Sequence, residues 1–514
     1  QAENGLVHSS RYQVDEYIAD GSGPAEWTPR FTYKGFRYVQ VQGLPDEPGN
    51  DTLVAQWLHS DVPRIAEFTC SEVLFETFHA AMAKTIRNNL HGFPTDTPMY
   101  EKNGWTGDAQ VGAPTMATTF DMSRFFTKWL GDLRDSQVES GQIPVIVPSG
   151  GWGYSELAPS PEWTTVYPYL VREMHRWYGD ERLLEEHWEP VTAYLDWELD
   201  RLEDGLAVTA LGDYLSPGHN GIPPEDTRLT ASCYLHRALI SMAEVGELIG
   251  HNDVGQRYRA EASALADRVN ETFLDTDAGH YRTEQDPEYR QTSNLVPLAF
   301  GITPPEWERS VIESVVADIR SRDTHLNTGN LGTSVLLPTL TRHGYSDVAA
   351  DVALQTTYPS WGHWFENGAD TMWEMWHLDS RSRNHYFQGT VAQWLMEDVA
   401  GLCSADDGWR RIRVHPRARA RVSSASLSVQ TVRGTASSSW RSQGRTLFLD
   451  VHVPVGSTAE VHVPGTEAER IAVTPRRLAR VDRVEDGHVV FEVGSGEWSF
   501  RTTVLGHGQR EVDR

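Results

Sequence analysis

Residues 235–250 have the sequence Leu235-His-Arg-Ala-Leu239-Ile-Ser-Met242-Ala-Glu-Val245-Gly-Glu-Leu-Ile249-Gly250. The apolar residues recur at spacings of four, three, three and four, which places them on one face of an α-helix. Gly250 follows the last of them, at the position where a glycine in the left-handed conformation commonly ends a helix. The stretch therefore predicts an amphipathic helix that ends at Gly250.

Stripes of the same kind recur through residues 67–402. Leu74, Phe78, Met82 and Ile86 follow one another at a spacing of four. Further stripes lie around residues 117–134, 164–178, 182–203, 254–274, 305–319, 333–343, 346–356 and 389–402. About a dozen helices, joined by long loops rich in glycine and tryptophan, favour a barrel of helical hairpins over a four-helix bundle. Function is expected in the long loops at one end of such a barrel.

The two flanks of this helical region alternate apolar and polar residues. Examples are Phe31-Thr-Tyr33-Lys-Gly-Phe36-Arg-Tyr38-Val-Gln-Val41 and, after Gly408, Leu447-Phe-Leu449-Asp-Val-His-Val453. A period of two predicts strands. We therefore predict a mainly α fold with β accessory domains. Residues 1–66 are a β segment, the remnant or end of a β-sandwich; residues 67–403 form the barrel, and residues 404–514 form an antiparallel β-sandwich.

Composition narrows the possible partners. The formal net charge of -27 is spread along the chain, which argues against nucleic acid, anionic membranes and polyanionic substrates as partners. The three cysteines are far apart, so we expect free core thiols and neither a disulfide framework nor a CxxC metal site.

No apolar run reaches about 18 residues and no signal peptide is visible. We expect a soluble protein, with a cytoplasmic location slightly favoured; the start at Gln1 rather than Met indicates a processed or truncated chain.

One segment combines carboxylates with turn residues: Phe93-Pro-Thr-Asp-Thr-Pro-Met-Tyr-Glu-Lys-Asn-Gly-Trp-Thr-Gly-Asp-Ala-Gln110. Its prolines withhold backbone donors and its glycines permit positive φ, so we expect a shaped loop rather than a helix or a strand. Asp96, Glu101 and Asp108 would project from this loop as the wall of a pocket for a polar ligand. The alternatives are a solvated acidic loop, an Asx-turn at Asp96 and a helix N-cap at Asp108.

A second segment surrounds Glu374 with tryptophans. It has the sequence Trp361-Gly-His-Trp364-Phe-Glu-Asn-Gly-Ala-Asp-Thr-Met-Trp373-Glu374-Met-Trp376. Aromatic neighbours would desolvate the carboxylate and raise its pKa, and indole faces stack on sugar rings. The alternative is a glutamate on a helix surface. Glycoside hydrolysis needs one protonated carboxyl and one carboxylate, and Glu101 and Glu374 can form that pair.

These segments resemble the α-L-rhamnosidases, family 78 of the glycoside hydrolases. The family pattern Asp-Cys-Pro-x-Arg-Glu-Lys-x-Gly-Trp-Thr-Gly-Asp-Ala is matched by Asp96-Thr-Pro-Met-Tyr-Glu-Lys-Asn-Gly-Trp-Thr-Gly-Asp108-Ala, apart from Thr97 and Tyr100. Thr371-Met-Trp-Glu374 and Ser382-Arg-Asn-His385 also match. The resemblance implies an (α/α)6 barrel that hydrolyses terminal α-L-rhamnosyl bonds with inversion.

The resemblance also assigns site residues. Glu101 would be the general acid and Glu374 the general base, with carboxyls roughly 6.5 to 9.5 Å apart. Residues expected to bind the sugar are Asp96, Trp105, Asp108 and His385, with Trp163, Trp361 and Trp364 as further aromatic walls. No metal or cofactor is predicted, the expected partner is a small-molecule or oligosaccharide rhamnoside, and the oligomeric state stays open. The alternatives are a lyase acting on rhamnosyl-glucuronic acid linkages and a non-catalytic carbohydrate-binding relative.

Overall fold

The computed structural model describes residues 13–99, 101–149, 159–221, 224–286 and 288–503, so Tyr100 lies outside the described residues. The helices are α1 Val73–Asn88, α2 Thr106–Thr119, α3 Ser123–Asp135, α4 Pro161–Thr164, α5 Val166–Tyr178, α6 Arg182–Glu186, α7 Trp188–Asp200, α8 Arg228–Ile249, α9 Asn252–Phe273, α10 Gln291–Ala299, α11 Pro305–Ser321, α12 Asn330–Arg342, α13 Ser346–Ala353, α14 Trp361–Glu366 and α15 Val391–Trp394. A 3-10 turn at Phe387–Thr390 precedes α15, and a π turn at Leu395–Val399 follows it.

The helix chosen from its apolar stripe is α8, and it ends as predicted. Gly250 has φ 87°, a left-handed conformation that a residue with a Cβ adopts only at a cost. The chain reverses there into α9, and the two helices pack closely because α9 places Gly255 against α8. A Cβ on Gly255 would lie 3.0 Å from the carbonyl oxygen of Ala243. One helical hairpin of the barrel is thus set by two glycines.

Two predicted stripes prove to be pairs of helices. The stripe around residues 117–134 spans the end of α2 and all of α3, and that around 182–203 spans α6 and α7, with a break at His187. Helix α10 was missed because it has no apolar stripe. Gln291, Thr292, Ser293 and Asn294 on its first turn are all buried beside its apolar residues. A helix buried on every side loses the periodic contrast on which sequence reading depends.

The strands predicted before the barrel do not form within residues 13–63, and the assignment of residues 1–66 to the end of a β-sandwich stays a prediction. Residues 13–63 contain no strand, and Phe31 and Tyr38 are 99% and 91% exposed. A strand needs a neighbour to complete its backbone hydrogen bonds, and no described strand pairs with residues 31–41. Residues 31–41 do alternate between apolar and polar types, but they do not pair with another strand in the described part of the chain.

Two sheets follow the barrel. The strands are β1 Ala66–Cys70, β2 Leu274–Asp275, β3 His280–Tyr281, β4 Leu402–Ser404, β5 Arg411–Val414, β6 Ser424–Thr431, β7 Gly434–Gln443, β8 Thr446–Val453, β9 Thr458–Pro464, β10 Ala472–Thr474, β11 Arg480–Glu485, β12 His488–Val493 and β13 Gly496–Thr503. One sheet has the order β1-β6-β7-β8-β13-β10 and the other β11-β12-β9-β5-β4, while β2 and β3 pair within the helical region. The pairs are antiparallel as predicted, with the difference that β5 and β9 run parallel.

Strand β1 joins the helical region to the C-terminal sheets. It precedes the barrel in sequence but pairs with β6, with Phe68 opposite Leu427. The predicted boundaries at 66 and 403 therefore fall inside or beside strands β1 and β4. The indole of Trp440 on β7 donates a 2.7 Å hydrogen bond to the carbonyl of Val399 at the end of the barrel. One continuous apolar core accordingly runs from the helices into the sheets.

Candidate active site

The first site segment is a loop closed at its base by two backbone contacts. Asp96 and Asn103 bond across the neck: the Asp96 amide donates to the Asn103 carbonyl at 2.9 Å, and the Asn103 amide donates to Asp96 Oδ1 at 2.8 Å. Gly104 follows and lies so close to Val147 that a Cβ would meet its carbonyl oxygen at 1.9 Å. The loop from 96 to 103 is therefore held at both ends, and Glu101 stands within it.

Two side chains of this segment hydrogen-bond to Glu101. The indole of Trp105 donates to Glu101 Oε2 at 2.9 Å, and the Asp96 carboxyl hydrogen-bonds to Glu101. Asp96 is buried, whereas Glu101 is half-buried and open to a ligand. Burial, with the nearby charges of Glu101 and Asp108, raises the pKa of Asp96 well above its ordinary value. The raised pKa favours the protonated form of Asp96 in its hydrogen bond to Glu101.

This burial gives a stability prediction for Asp96→Asn. The folded protein binds the Asp96 proton more tightly than the unfolded chain, so this contribution to stability is present below about pH 4 and is lost as the pH rises through the raised pKa. Asparagine is neutral at every pH and still accepts from Asn103. We expect the variant to unfold at a higher temperature than the wild type at neutral pH, by an amount equivalent to about 0.5–2 kcal/mol, and the difference to shrink towards pH 4.

Thermal unfolding from pH 4 to 8 measures this effect. Asp46→Asn, at an exposed position, is the matched control and should leave the pH profile unchanged. A variant that loses stability equally at all pH values would show that the Asp96 carboxylate stabilises the fold.

The structure corrects the expectation of an irregular loop up to Gln110. Helix α2 begins at Thr106, and Asp108 lies in its first turn rather than at the N-cap, which is Trp105. Small and polar residues are buried on all sides of α2, so its sequence has no apolar stripe from which a helix could be predicted. The Asp108 carboxylate nevertheless gains from this position, because a helix N-terminus favours negative charge.

Asp108 pairs with His385 inside the protein. His385 Nε2 lies 2.5 Å from Asp108 Oδ1, and both side chains are 5% exposed. Burial raises the pKa of Asp108, although His385 opposes the shift. Burial disfavours the charged form of His385, but Asp108, with smaller contributions from Glu374 and Glu101, outweighs it and raises the pKa of His385. The two residues form a hydrogen-bonded, charge-compensated pair. The negative charges of Glu101 and Glu374 both contribute to the raised pKa of His385.

Glu374 is held by the loop that carries His385. Its carboxylate accepts from Arg381 Nη2 on one oxygen and from the Ser382 amide, at 3.1 Å, on the other. Its own amide donates to the Ser382 carbonyl at 2.9 Å. Arg381 Nη2 also lies 3.4 Å from the Tyr214 hydroxyl. The side chain is 6% exposed, and a guanidinium compensates its charge where aromatic surroundings alone were expected.

Six of the sequence-predicted residues thus meet in one place. They are Asp96, Glu101, Trp105, Asp108, Glu374 and His385. The other three are buried tryptophans. Trp163 lies against α2, where a Cβ on Gly107 would come within 2.4 Å of its indole, and Trp361 and Trp364 donate to the Gln388 and Trp376 carbonyls. All three are at most 2% exposed, and their assignment as sugar-stacking faces stays a prediction.

Sequence reasoning missed Arg381. The residue stands one position before the Ser382 to His385 motif, but nothing in the sequence indicates that its side chain turns back to Glu374 seven residues earlier. We expect Arg381→Met to lower kcat by roughly 10- to 100-fold with a smaller change in KM, because the carboxylate predicted to be the general base would lose its alignment with the attacking water. Arg381→Lys should restore part of the rate. Steady-state kinetics on an aryl glycoside would measure both.

The matched control is Arg383→Met. Arg383 lies in the same loop and is exposed, with its guanidinium 4.7 Å from the centre of the Trp373 ring. Its replacement should leave kcat within a factor of two or so of the wild type, as expected for an exposed side chain away from the site. Equal losses in both variants would mean that Arg381 only stabilises the loop.

One other cluster holds residue types that bind metals. Among the described residues, Glu460, His462 and Glu485 bring three such atoms within 4.8 Å of one another. Arg483 lies between the carboxylates, 2.7 Å from Glu460 and 2.8 Å from Glu485. A guanidinium therefore supplies the positive charge there.

No helix within the described ranges is long and apolar enough to cross a membrane.

Comparison with known proteins gives consistent matches. Three family models match: the bacterial α-L-rhamnosidase six-hairpin glycosidase domain over residues 63–399, the C-terminal domain over 401–477 and the concanavalin-like domain over 3–60. An α-L-rhamnosidase of Streptomyces avermitilis is 32% identical over 95% of this chain and 47% of its own length. One of Formosa agariphila is 29% identical, over 91% and 51%. The chain spans about half the length of these relatives.

Solved structures agree with the sequence matches. An α-L-rhamnosidase from Dictyoglumus thermophilum has a TM-score of 0.85 at 30% identity, over 93% of this chain and 55% of that one. The Streptomyces avermitilis α-L-rhamnosidase complexed with L-rhamnose has a TM-score of 0.79 at 30% identity, over 87% and 43%. These likenesses, with the six-hairpin match, confirm the predicted (α/α)6 barrel with β accessory sheets.

Proposed function

Since the chain belongs to the bacterial α-L-rhamnosidase family, we propose that it hydrolyses terminal non-reducing α-L-rhamnosyl residues of rhamnosides, with Glu101 as general acid and Glu374 as general base. One observation carries the proposal. Two glutamates from segments more than 250 residues apart in sequence both act on the buried Asp108 and His385 pair. Hydrolysis of a glycoside requires such a pair of carboxyls facing one sugar ring.

Glu101 suits the role of proton donor. It is half-buried, so an incoming glycosidic oxygen can reach it, and its Oε2 is oriented by the Trp105 indole. The protonated form of Asp96 is favoured beside it. A general acid must be protonated when the substrate arrives and must return to that state after each turnover. The Asp96 carboxyl, which hydrogen-bonds to Glu101, gives it a neighbour with which to share a proton.

Glu374 suits the role of base. Arg381 donates to one oxygen of Glu374 and the Ser382 amide donates to the other, and a carboxylate held in this way can take up the proton of an attacking water. Charged donors also favour the ionised form that a base needs before it acts. In the inverting geometry the water lies between Glu374 and the sugar, on the face opposite to the leaving group.

The remaining carboxyls surround the reacting sugar. The transition state resembles an oxocarbenium ion, and a carboxylate near it stabilises the positive charge that develops. Asp96 and Asp108 also present oxygens that can bond rhamnose hydroxyls, and His385 fixes the orientation of Asp108. Trp105, half-buried beside Glu101, offers a face on which the ring can pack.

Proton NMR during hydrolysis of an aryl α-L-rhamnoside tests the proposal. We expect β-L-rhamnose to form first, because attack from the opposite face inverts the anomeric centre. Formation of the α anomer first would indicate a retaining mechanism. An unsaturated uronate released from a rhamnosyl-glucuronic acid substrate would indicate the lyase alternative, and rhamnose binding without turnover of any rhamnoside would indicate a carbohydrate-binding relative.

A further inference from the structure

The N-terminal segment contacts the Glu101 loop through a short stretch. Within residues 31–40, only residues 33–35 are partly buried, and Tyr33 and Gly35 contact the loop. The Lys102 ammonium donates to the carbonyl of Tyr33 at 2.6 Å and lies 4.4 Å from the centre of the Tyr33 ring. A Cβ on Gly35 would lie 3.2 Å from Met99 Cβ. Side chain and backbone of this stretch therefore both pack on the loop.

Tyr33 contacts residues on both sides of the loop. Its side chain hydrogen-bonds to Thr95, which precedes Asp96, and its ring packs on Lys102, which follows Glu101. The ring also stacks on His91, with ring centres 3.8 Å apart and an interplanar angle of 14°. Burial raises the pKa of Tyr33 to about 12, so the phenol is neutral at any pH of interest.

The loop needs such support next to Glu101. Lys102 has φ 56°, in the left-handed region that costs a residue with a Cβ about 1 kcal/mol or more. A residue keeps that conformation only when its surroundings hold it. The contacts with Tyr33 fix the Lys102 side chain, and a bridge from Gln13 Nε2 to the carbonyls of Gly35 and Met99, 3.3 Å each, ties the two backbones together.

We propose that Tyr33 is a positioning residue for proton donation: the stretch 33–35 holds the loop from Asp96 to Asn103 so that Glu101 meets the glycosidic oxygen. The proposal rests on the assignment of Glu101 as general acid. It separates the role of the N-terminal segment from that of Arg381 and Ser382, which donate to Glu374. Displacement by about 1 Å costs on the order of 100-fold in rate.

Two substrates separate the acid from the rest of the site. A general acid assists a basic leaving group more than a weakly basic one. Hydrolysis of phenyl α-L-rhamnoside therefore depends on Glu101, and hydrolysis of 2,4-dinitrophenyl α-L-rhamnoside depends on it far less. We expect Tyr33→Ala to lower kcat/KM for the phenyl substrate about 10- to 100-fold, with a change of less than about threefold for the dinitrophenyl substrate. Tyr33→Phe should lie close to the wild type, since it keeps the ring.

Tyr38→Ala is the matched control, because Tyr38 lies in the same segment and is 91% exposed. It should behave as the wild type on both substrates. Equal losses on both substrates in Tyr33→Ala, or wild-type rates on both, would overturn the proposal. If Tyr33→Ala does not fold, Lys102→Met removes the same contact from the other side and should give the same selective loss.

Hydrogen exchange tests the positioning without catalysis. The Asn103 amide, bonded to Asp96, should exchange faster in Tyr33→Ala than in the wild type, while amides of α8 keep their protection. Unchanged exchange at Asn103 would overturn the proposal even if activity fell. A wild-type protein that turns over no rhamnoside would remove the proposed function, whereas the exchange result would still decide whether Tyr33 holds the loop.

Discussion

Glu101→Gln is expected to lower kcat/KM for phenyl α-L-rhamnoside by about 100- to 10,000-fold, the contribution of a positioned general acid. Glutamine keeps the hydrogen bond from the Trp105 indole but cannot give a proton to the leaving oxygen. The loss should nearly vanish with 2,4-dinitrophenyl α-L-rhamnoside, whose leaving group departs without protonation.

Initial rates on the two substrates measure this prediction, and isothermal titration with rhamnose checks that the sugar still binds. The matched control is Glu67→Gln, an exposed glutamate on strand β1, which should behave as the wild type. Equal losses on both substrates would remove Glu101 from the role of proton donor and would leave it as a binding residue. Wild-type turnover of the phenyl substrate would remove it from the mechanism.

Glu374→Ala is expected to lower kcat by a similar 100- to 10,000-fold on both substrates alike. The base activates water in the step that every substrate shares, so the quality of the leaving group gives no rescue. Azide is a small anion that needs no base, and it should fit the space left by the carboxylate beside Arg381. We expect added azide to restore turnover of the dinitrophenyl substrate and to yield β-L-rhamnosyl azide, identified by NMR.

Two comparisons make this result specific. Azide should have no effect on Glu101→Gln, in which the base is intact. Glu374→Gln, which keeps an oxygen to accept from the Ser382 amide, should be as slow as the alanine variant but should not respond to azide. An α-azide product, or a loss confined to the phenyl substrate, would contradict the assignment of Glu374 as base.

The sequence predicted the elements whose signals are local. The stripe before Gly250 predicted α8 because one face of that helix is buried and its C-terminus requires a left-handed residue. Apolar periodicity did not predict α2 and α10, because these helices are buried on every side. It also failed at residues 31–41, where alternation without a neighbouring strand does not make a sheet.

The site divides in the same way. Asp96, Glu101 and Asp108 were found because they stand close together in a segment of unusual composition. Arg381 and Tyr33 were not found as partners of the two glutamates, because each acts by turning its side chain towards a loop that only the tertiary fold brings near. A single sequence shows periodicity and turn-forming residues, but it does not show which residues far apart in the chain come into contact.

The pairing of β1 with β6 has a consequence for how the chain acquires its structure. Phe68 and Leu427 face each other although 359 residues separate them, the difference of their numbers. During synthesis β1 leaves the ribosome first and has no partner in its sheet until the whole barrel and β6 have followed. Contacts of such long range form slowly and late. The barrel is thus an insertion between two strands of one sheet, and β1 cannot pair with β6 before the whole barrel has been synthesised.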